Sequence, residues 1–528
     1  MRKLKIRKLL ANKEPLKQKL HLEQKKQETK NSQRLYSNLE DNLCELKDQF
    51  SNCSDVVLRP LSINGHKALM VFIEGIIDTS SIQLHAIHQV LSEWKNEEVT
   101  IETLKEEIVA VSRVMETDKM DELIKQVLSG STALLVDQAE KTLILDAKGG
   151  IRRAVSEPET ETAIRGPREG FTENICVNTA LVRQKIRSTR LKILLKEVGK
   201  ETQTSIAVLY MEGFAKPELV KEVLNRIERI EIDGVLESGY LEELIEDSPW
   251  SVFPQIQNTE RPDTVAGNLL EGRVAIMVNG TPFCLIMPVT FWQFMQATED
   301  YYHRFHIAVF LRLLRVAFIF IALLLPAFYI AVSTYHQEMI PTSLLFSIAA
   351  SREAIPFPVF VEAMIMEISF EALREAGIRL PKLVGQAVSI LGALVIGQAA
   401  VEAGIVSAPI VIIVSVTGIA SFTIPRFNMS ITVRLLRFPF MILAAVLGAF
   451  GIVLGLLILL THLCKLRSFG VPYLSPVTPL KANELKDIFI RAPWWAMRRR
   501  PNELVTGNIR RQSSNLMPSP KKGSDSLD

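Results

Sequence analysis

Two regimes of hydrophobic patterning divide the chain. From about residue 36 to 300, apolar and polar positions interleave with strand-like and helix-like periods. Between residues 307 and 464, apolar runs reach the roughly twenty residues that a bilayer-crossing helix needs. The run "VAFIFIALLLPAFYIAVSTY" (316–335) holds no charge, and its Pro326 is tolerated because neighbouring helices can satisfy the carbonyl it frees. "LVGQAVSILGALVIGQAAVEAG" (383–404) and "IVSAPIVIIVSVTGIASFTI" (405–424) predict a helical hairpin with Gly404 at its apex. Gly385, Ser389, Gly392 and Gly397 give its first helix a surface that another backbone can approach closely. A last span is predicted over 438–463.

Within the first regime a unit recurs. "KALMVFIEGIIDTSSIQLHAIHQVL" (67–91) and "SIAVLYMEGFAKPELVKEVLNRIERI" (205–230) each read as a buried strand, Glu-Gly, then an amphipathic helix. "LSGSTALLVDQAEKTLIL" (128–145) and "LEGRVAIMVNGTPFCLIM" (270–287) each read as Gly followed by two strands around a tight turn. The expected fold is an α/β soluble N-terminal region of two related subdomains followed by an all-α polytopic transmembrane domain. The boundaries read as a basic disordered arm (1–35), subdomain 1 (36–153), a polar linker (154–174), subdomain 2 (175–300), transmembrane helices (307–464) and a basic tail (465–528), disordered after about residue 506.

Charge refines this picture. The net charge of +3 argues against a nucleic-acid partner, although the first thirty residues carry eleven Lys or Arg against three Glu. No export signal follows that arm. Arg304, Arg312 and Arg315 precede the first span, with no Lys or Arg from 316 until Arg352, which puts the N-terminal side in the cytoplasm. At the other end Arg426, Arg434 and Arg437 compete with Lys465 and Arg467, leaving the parity of spans open. Five scattered cysteines suit a reducing compartment. The pairs His85/His88 and His303/His306 lack the company a metal site requires, and no nucleotide, nucleophile-elbow or zinc motif occurs. No metal, cofactor or enzymatic activity is expected. The linker motif Arg165, Gly166, Pro167, Arg168, Glu169, Gly170 could cradle phosphate, but a structural turn whose arginines pair with nearby acids is the better reading.

The stretch "VFVEAMIMEISFEALREAG" (359–377) places Glu362, Glu367, Glu371 and Glu375 among apolar neighbours on a helix expected over about 357–376, started by Pro356 and Pro358 and stopped by Gly377. Glu367, Glu371 and Glu375 share one narrow stripe. The helix either lies on the membrane surface with its acids solvated or borders a water-filled cavity, because a carboxylate facing lipid costs about 2.5–3.5 kcal/mol. In an oligomer the stripe would form rings of negative charge suited to passing cations. Gln398 and Glu402, with Gln386, are secondary lining candidates. Trp494, Trp495, Arg498, Arg499 and Arg500 suit an interfacial anchor, or else an amphipathic tail helix.

The stretches "RGPREGFTENICVNTALVRQKIRSTRLK" (165–192), "FPQIQNTERPD" (253–263), "EGRVAIMVNGTPF" (271–283), "EALREAGIRLP" (371–381), "PRFNMSITVRLLRFP" (425–439) and "RAPWWAMRRRP" (491–501) carry a resemblance. Over about residues 40 to 505 the chain resembles the A subunits of GerA-type spore germination receptors of endospore-forming bacteria. The resemblance implies a multi-pass protein of the spore inner membrane or cell membrane with a cytoplasmic N-terminal domain. It implies partners, namely a transporter-like B-type subunit that binds the nutrient and a C-type lipoprotein subunit. It further implies assembly into a homo-oligomeric, ligand-gated channel for monovalent cations in the lipid bilayer. An accessory A-type homologue of the dipicolinate-release machinery, and a membrane-tethered scaffold or signalling adaptor without conduction, are the alternatives.

Overall fold

The repeated unit becomes two five-stranded antiparallel sheets of the same strand order. The computed structural model describes residues 34–518 except 64, 78–100, 108–113, 147–148, 150–156, 159, 382–394, 396, 482–483 and 514–515. The basic arm, the helix expected after Gly75, His85, His88, Gln386 and most of the first hairpin helix lie outside the described residues.

In the first unit β1 (Val56–Ile63) and β2 (His66–Ile73) form a hairpin, followed by β3 (Val114–Thr117), β4 (Thr132–Val136) and β5 (Thr142–Leu145), in the order β1-β2-β4-β5-β3. In the second, β6 (Leu191–Val198), β7 (Thr204–Met211), β8 (Gln257–Thr259), β9 (Val274–Val278) and β10 (Cys284–Met287) repeat it as β6-β7-β9-β10-β8. The first unit adds helices α1 (Leu39–Gln49), α2 (Ile101–Glu107) and α3 (Met120–Leu128). The second adds α4 (Ile175–Lys185), α5 (Pro217–Glu228), α6 (Ser238–Ile245) and α7 (Pro262–Leu269). Ala207, Leu209 and Met211 of β7 pack under α4 and α7, while Ile206 and Val208 pack under α5 and α6. Helices on both faces explain why these strands are unbroken apolar runs, although their pairing is antiparallel. The units are joined by Arg183, fully buried, whose Nε and Nη2 donate to the two Asp55 carboxylate oxygens at 2.8 and 2.9 Å. Beside it, the Ser54 N–H donates to the Ile193 carbonyl and the Ile193 N–H to that of Asn52.

The remaining helices are α8 (Phe305–Thr334), α9 (Thr342–Arg352), α10 (Val359–Arg379), α11 (Ala408–Phe422) and α12 (Phe427–Lys465), of which α8 and α12 are long and apolar enough to cross a membrane. α8 starts at the soluble part, where Arg312 and Arg315 hold Asp300. It ends beside a break in α12 at Gly448, whose φ of 61° and ψ of −143° lie outside helical space. Here the Tyr335 hydroxyl donates to the Ala445 and Val446 carbonyls, and His336 Nε2 accepts from the Ala449 N–H. These side chains serve backbone groups that the broken helix leaves orphaned.

The two arms of α12, 427–447 and 449–465, fold back on each other. A Cβ on Gly451 would run into the Leu443 carbonyl oxygen, and one on Gly455 would stand 2.8 Å from the Phe440 ring. Both open ends meet one loop of the soluble part, the Thr432 hydroxyl donating to the Val252 carbonyl and Ser251 Oγ lying 2.9 Å from His462 Nε2. The single last span expected over 438–463 is thus a helical hairpin. Hydropathy is uninterrupted across the turn, and only glycines permit the reversal and the close approach. α10 and α11 run side by side: Glu362 meets the Ser407 N–H at their starts and Arg374 meets Ser421 near their ends. Both point back toward the soluble part, since the Ser421 carbonyl accepts from Ser430 at the start of α12.

The tail forms β11 (Arg467–Ser468) and β12 (Val471–Pro472), then returns to the second sheet. Val505 bridges Ala215, and Arg511 Nη2 lies 2.5 Å from Glu271 beyond the point where disorder was expected.

Replacing Gly451 with Ala should force the arms apart and destabilise the detergent-solubilised protein by about 1–3 kcal/mol. Gly418→Ala, whose added methyl would meet nothing, should leave the thermal midpoint unchanged or raised. A second expectation concerns pH. Burial, then Glu246 and Glu237, push the Glu242 carboxyl up to about 7, and burial with Glu243 and Asp247 does the same for Glu246. Folded values above the ordinary 4.5 mean extra protons bound in the folded state, so this contribution is full below pH 4.5 and is lost as pH rises through 7. Thermal melts across that window should show the decline, and Glu242→Gln should flatten it.

Candidate charged site in the helical domain

α10 begins after Pro358 and runs through Gly377 to Arg379, so that glycine does not stop it. Val359, Ala363 and Met366 bury one face in the helical core, and Glu362 and Glu367 are buried with them at 1% exposure each. Glu371 is partly exposed and Glu375 exposed. Buried carboxylates among apolar side chains require counter-charges and donors, and each acid has them.

Glu362 accepts from Arg352 Nε on α9 at 3.1 Å and from the Ser407 N–H at 2.9 Å. The latter is a carboxylate at a helix N-terminus, where anions are favoured. Glu367 is bound by Arg437, midway along the first arm of α12, and both side chains are almost fully buried. Arg437 Nε also donates at 2.9 Å to the Ala322 carbonyl. That carbonyl is the one left free four residues before Pro326, which has no N–H. Glu371 receives Arg434 Nη1 at 2.8 Å and Arg374 Nη1 at 3.3 Å, and Arg374 also stacks on Phe422. Glu375 pairs with Arg379. The four acids thus form a ladder of ion pairs that ties α10 to α9 and α12, while the Ser407 N–H and the Arg374–Ser421 hydrogen bond bring in α11. Arg437 Nη2 and Glu367 Oε1 have no hydrogen-bond partner among the described residues.

The stripe expected from periodicity is therefore graded, buried at one end of α10 and exposed at the other. The arginines were missed as partners. Arg434 and Arg437 read as flanks of the last span, yet they stand inside the bundle because α12 starts earlier and folds back. Two arginines three residues apart within "SITVRLLRFPFMIL" were the available signal.

Gln398 and Glu402 pair with each other at 2.9 Å on an exposed face rather than with the ladder. Trp494 donates to the Tyr301 carbonyl just before α8, and Trp495 lies beside Arg304 and Phe305. Arg498 and Arg499 are exposed, whereas Arg500 is buried, donating to the Leu270, Asn508 and Arg510 carbonyls over the Phe214 ring. The linker motif is a turn held by its own charges: Arg168 pairs with Glu157, Glu169 with Lys185, the Pro167 carbonyl accepts from Arg261, and Gly166 lies under Tyr302. Arg165 and Gly170 flank these contacts. Among the described residues no group of three or more His, Cys, Asp or Glu could hold a metal ion.

Residues 44–503 match the family model described as "Bacillus/Clostridium GerA spore germination protein". The chain is 54% identical over 89% of its length to "Uncharacterized membrane protein YfkQ" of Bacillus subtilis, covering 92% of that protein. It is 46% identical over 91% of its length to "Spore germination protein KA" of the same organism, covering 89% of it. It is also similar to the crystal structure of the N-terminal domain of the A subunit of the Bacillus megaterium spore germinant receptor GerK3. That likeness has 37% identity and a TM-score of 0.40, covering 49% of this chain and 98% of that one.

Arg437→Gln should cost about 3–5 kcal/mol, because it leaves Glu367 buried without its counter-charge and the Ala322 carbonyl unpaired. Combining it with Glu367→Gln should recover about 0.5–3 kcal/mol of the summed single losses. A double-mutant cycle by thermal unfolding in detergent measures both.

Proposed function

Because this chain belongs to the Bacillus/Clostridium GerA spore germination protein family, we propose that it is the A-type subunit of a nutrient-responsive germination receptor. In this reading it is a multi-pass protein of the spore inner membrane with its N-terminal domain in the cytoplasm. It acts with a B-type transporter-like subunit and a C-type lipoprotein, and its oligomer passes monovalent cations.

The observation that carries the membrane reading is the helix geometry. As one rod, the 39 residues of α12 would extend about 58 Å, nearly twice a hydrocarbon core of about 30 Å, whereas the folded arms extend about 31 and 26 Å. α8 leads away from the soluble part and α10 returns. The chain is again at the far end by Gly404, which packs beside Ala354. α11 returns, and the α12 hairpin goes out and back. Among the described residues α8, α10, α11 and the two arms of α12 make five crossings, and the start of α8 and the end of α12 stand on the same, cytoplasmic side.

The ladder on α10 supplies the chemistry for a gate. In the single chain all four carboxylates are held by arginine, so they present no free negative ring. Passage of cations then requires Arg434 and Arg374 to release Glu371, exposing carboxylates to a wet path. Glu362 and Glu367, deeper and more fully paired, set the position of the helix. The pairing of every acid also favours a second reading, an anchored adaptor in which the ladder is purely structural.

Reporters attached to both ends of the chain should score in the same compartment, opposite to one inserted at Glu338; opposed ends would refute this arrangement. In spores carrying Glu371→Gln at normal protein level, nutrient-triggered cation release should slow severalfold or lose its trigger. Unaltered release with Glu362→Gln, Glu367→Gln and Glu371→Gln, each tested singly, selects the adaptor.

A further inference from the structure

Where the second sheet, the lead into α8, the start of α12 and the returning tail converge, they enclose a cavity of about 190 Å3. Its walls carry four polar side chains at least nine-tenths buried: Gln257 on β8, Arg273 beside β9, Gln293, and Arg426 just before α12. Both amide atoms of Gln257, Oε1 of Gln293, and Nε of Arg273 and of Arg426 have no hydrogen-bond partner among the described residues. Each such atom, left dry, costs about 1–3 kcal/mol, and so many in one wall call for a polar occupant.

The charge balance says which kind. Arg426 is matched by Glu161 and Asp263 by Arg261. Glu271 alone serves both Arg273, at 3.6 Å, and Arg511, at 2.5 Å. Among the described residues one positive charge in the wall is therefore uncompensated. Burial also holds the Arg273 guanidinium below its ordinary value, as for a cation short of a counter-ion. An adjoining cavity of about 400 Å3 shares Glu271, Arg273 and Arg511 and adds Lys486, Arg498, Arg499 and Arg500 against Glu484, Asp487 and Glu503, so the approach carries an excess of positive side chains.

We propose that this cavity binds a small oxyanion, a carboxylate or a phosphate, through Nε of Arg273 and Arg426 and the Gln257 amide. Gln293 Oε1 accepts from any hydroxyl or ammonium the anion carries. Guanidinium groups suit such anions by geometry as well as charge. The site joins the second subdomain, the lead into α8, the start of α12 and the tail, and it stands independently of ion passage.

The test uses the full chain in lipid nanodiscs, with thermal unfolding followed while sodium phosphate or sodium acetate replaces sodium chloride at constant ionic strength. A saturable rise in midpoint beyond the chloride control is expected with at least one of them, and the one that acts identifies the oxyanion. In Arg273→Gln and in Gln257→Glu the half-saturating concentration should rise roughly tenfold or more. Gln257→Glu leaves both guanidinium groups in place and so reports even where Arg273→Gln fails to fold. A wild-type response no greater than chloride, meaning water only, overturns the site. So does a response that survives both substitutions.

Discussion

The helical domain rests on one constraint, that a charge inside an apolar bundle must meet an opposite charge there, and Arg437 is where the constraint is met. Its guanidinium reaches the α8 carbonyl that Pro326 orphans and, through a second nitrogen, the carboxylate of Glu367 on α10. Each of the three features would be a defect alone: a proline within a long helix, an acid at 1% exposure, and an arginine midway along an apolar arm. Together they neutralise one another and fix the mutual depth and rotation of three helices. Such a triad contributes specificity of arrangement more than net stability, because the desolvation of both ions offsets much of their attraction.

Much of the soluble part was legible in the sequence because its signals are local. A strand buried on both sides shows as an apolar run and a turn shows as Asn279-Gly280. A duplicated unit shows twice, so the shared order of the two sheets follows from matching stretches about 140 residues apart. The helical part was legible only in outline. The reversal at Gly448 leaves no trace in hydropathy, since the chain is apolar for about ten residues on either side of it. The partners of Glu362, Glu367 and Glu371 lie on other helices, and no periodicity along α10 could name Arg352, Arg434 or Arg437. The same limit applies to Arg500, whose company of arginines suits a membrane anchor but does not name the Leu270, Asn508 and Arg510 carbonyls it meets.

The tail changes how the two halves relate. It leaves the last arm, passes Tyr301 and Asp487 at the root of α8, and ends with Arg511 on Glu271 of the second subdomain. At this junction burial holds the Asp487 carboxyl above its ordinary value although Arg312, paired with it, draws it down. The polar cavity lies within that junction, bordered by the soluble sheet, the roots of α8 and α12, and the tail.

Attachment of both α12 arms to residues 251 and 252 has a mechanical meaning. A hairpin gripped at its two open ends by one short segment moves as a stiff piston, because neither arm can slide without the other. Its closed tip is hydrogen-bonded to Tyr335 and His336, so the Ser251–Val252 segment and the end of α8, about thirty ångström apart, are linked through one hairpin. Transmission of this kind needs no bending of the intervening helices.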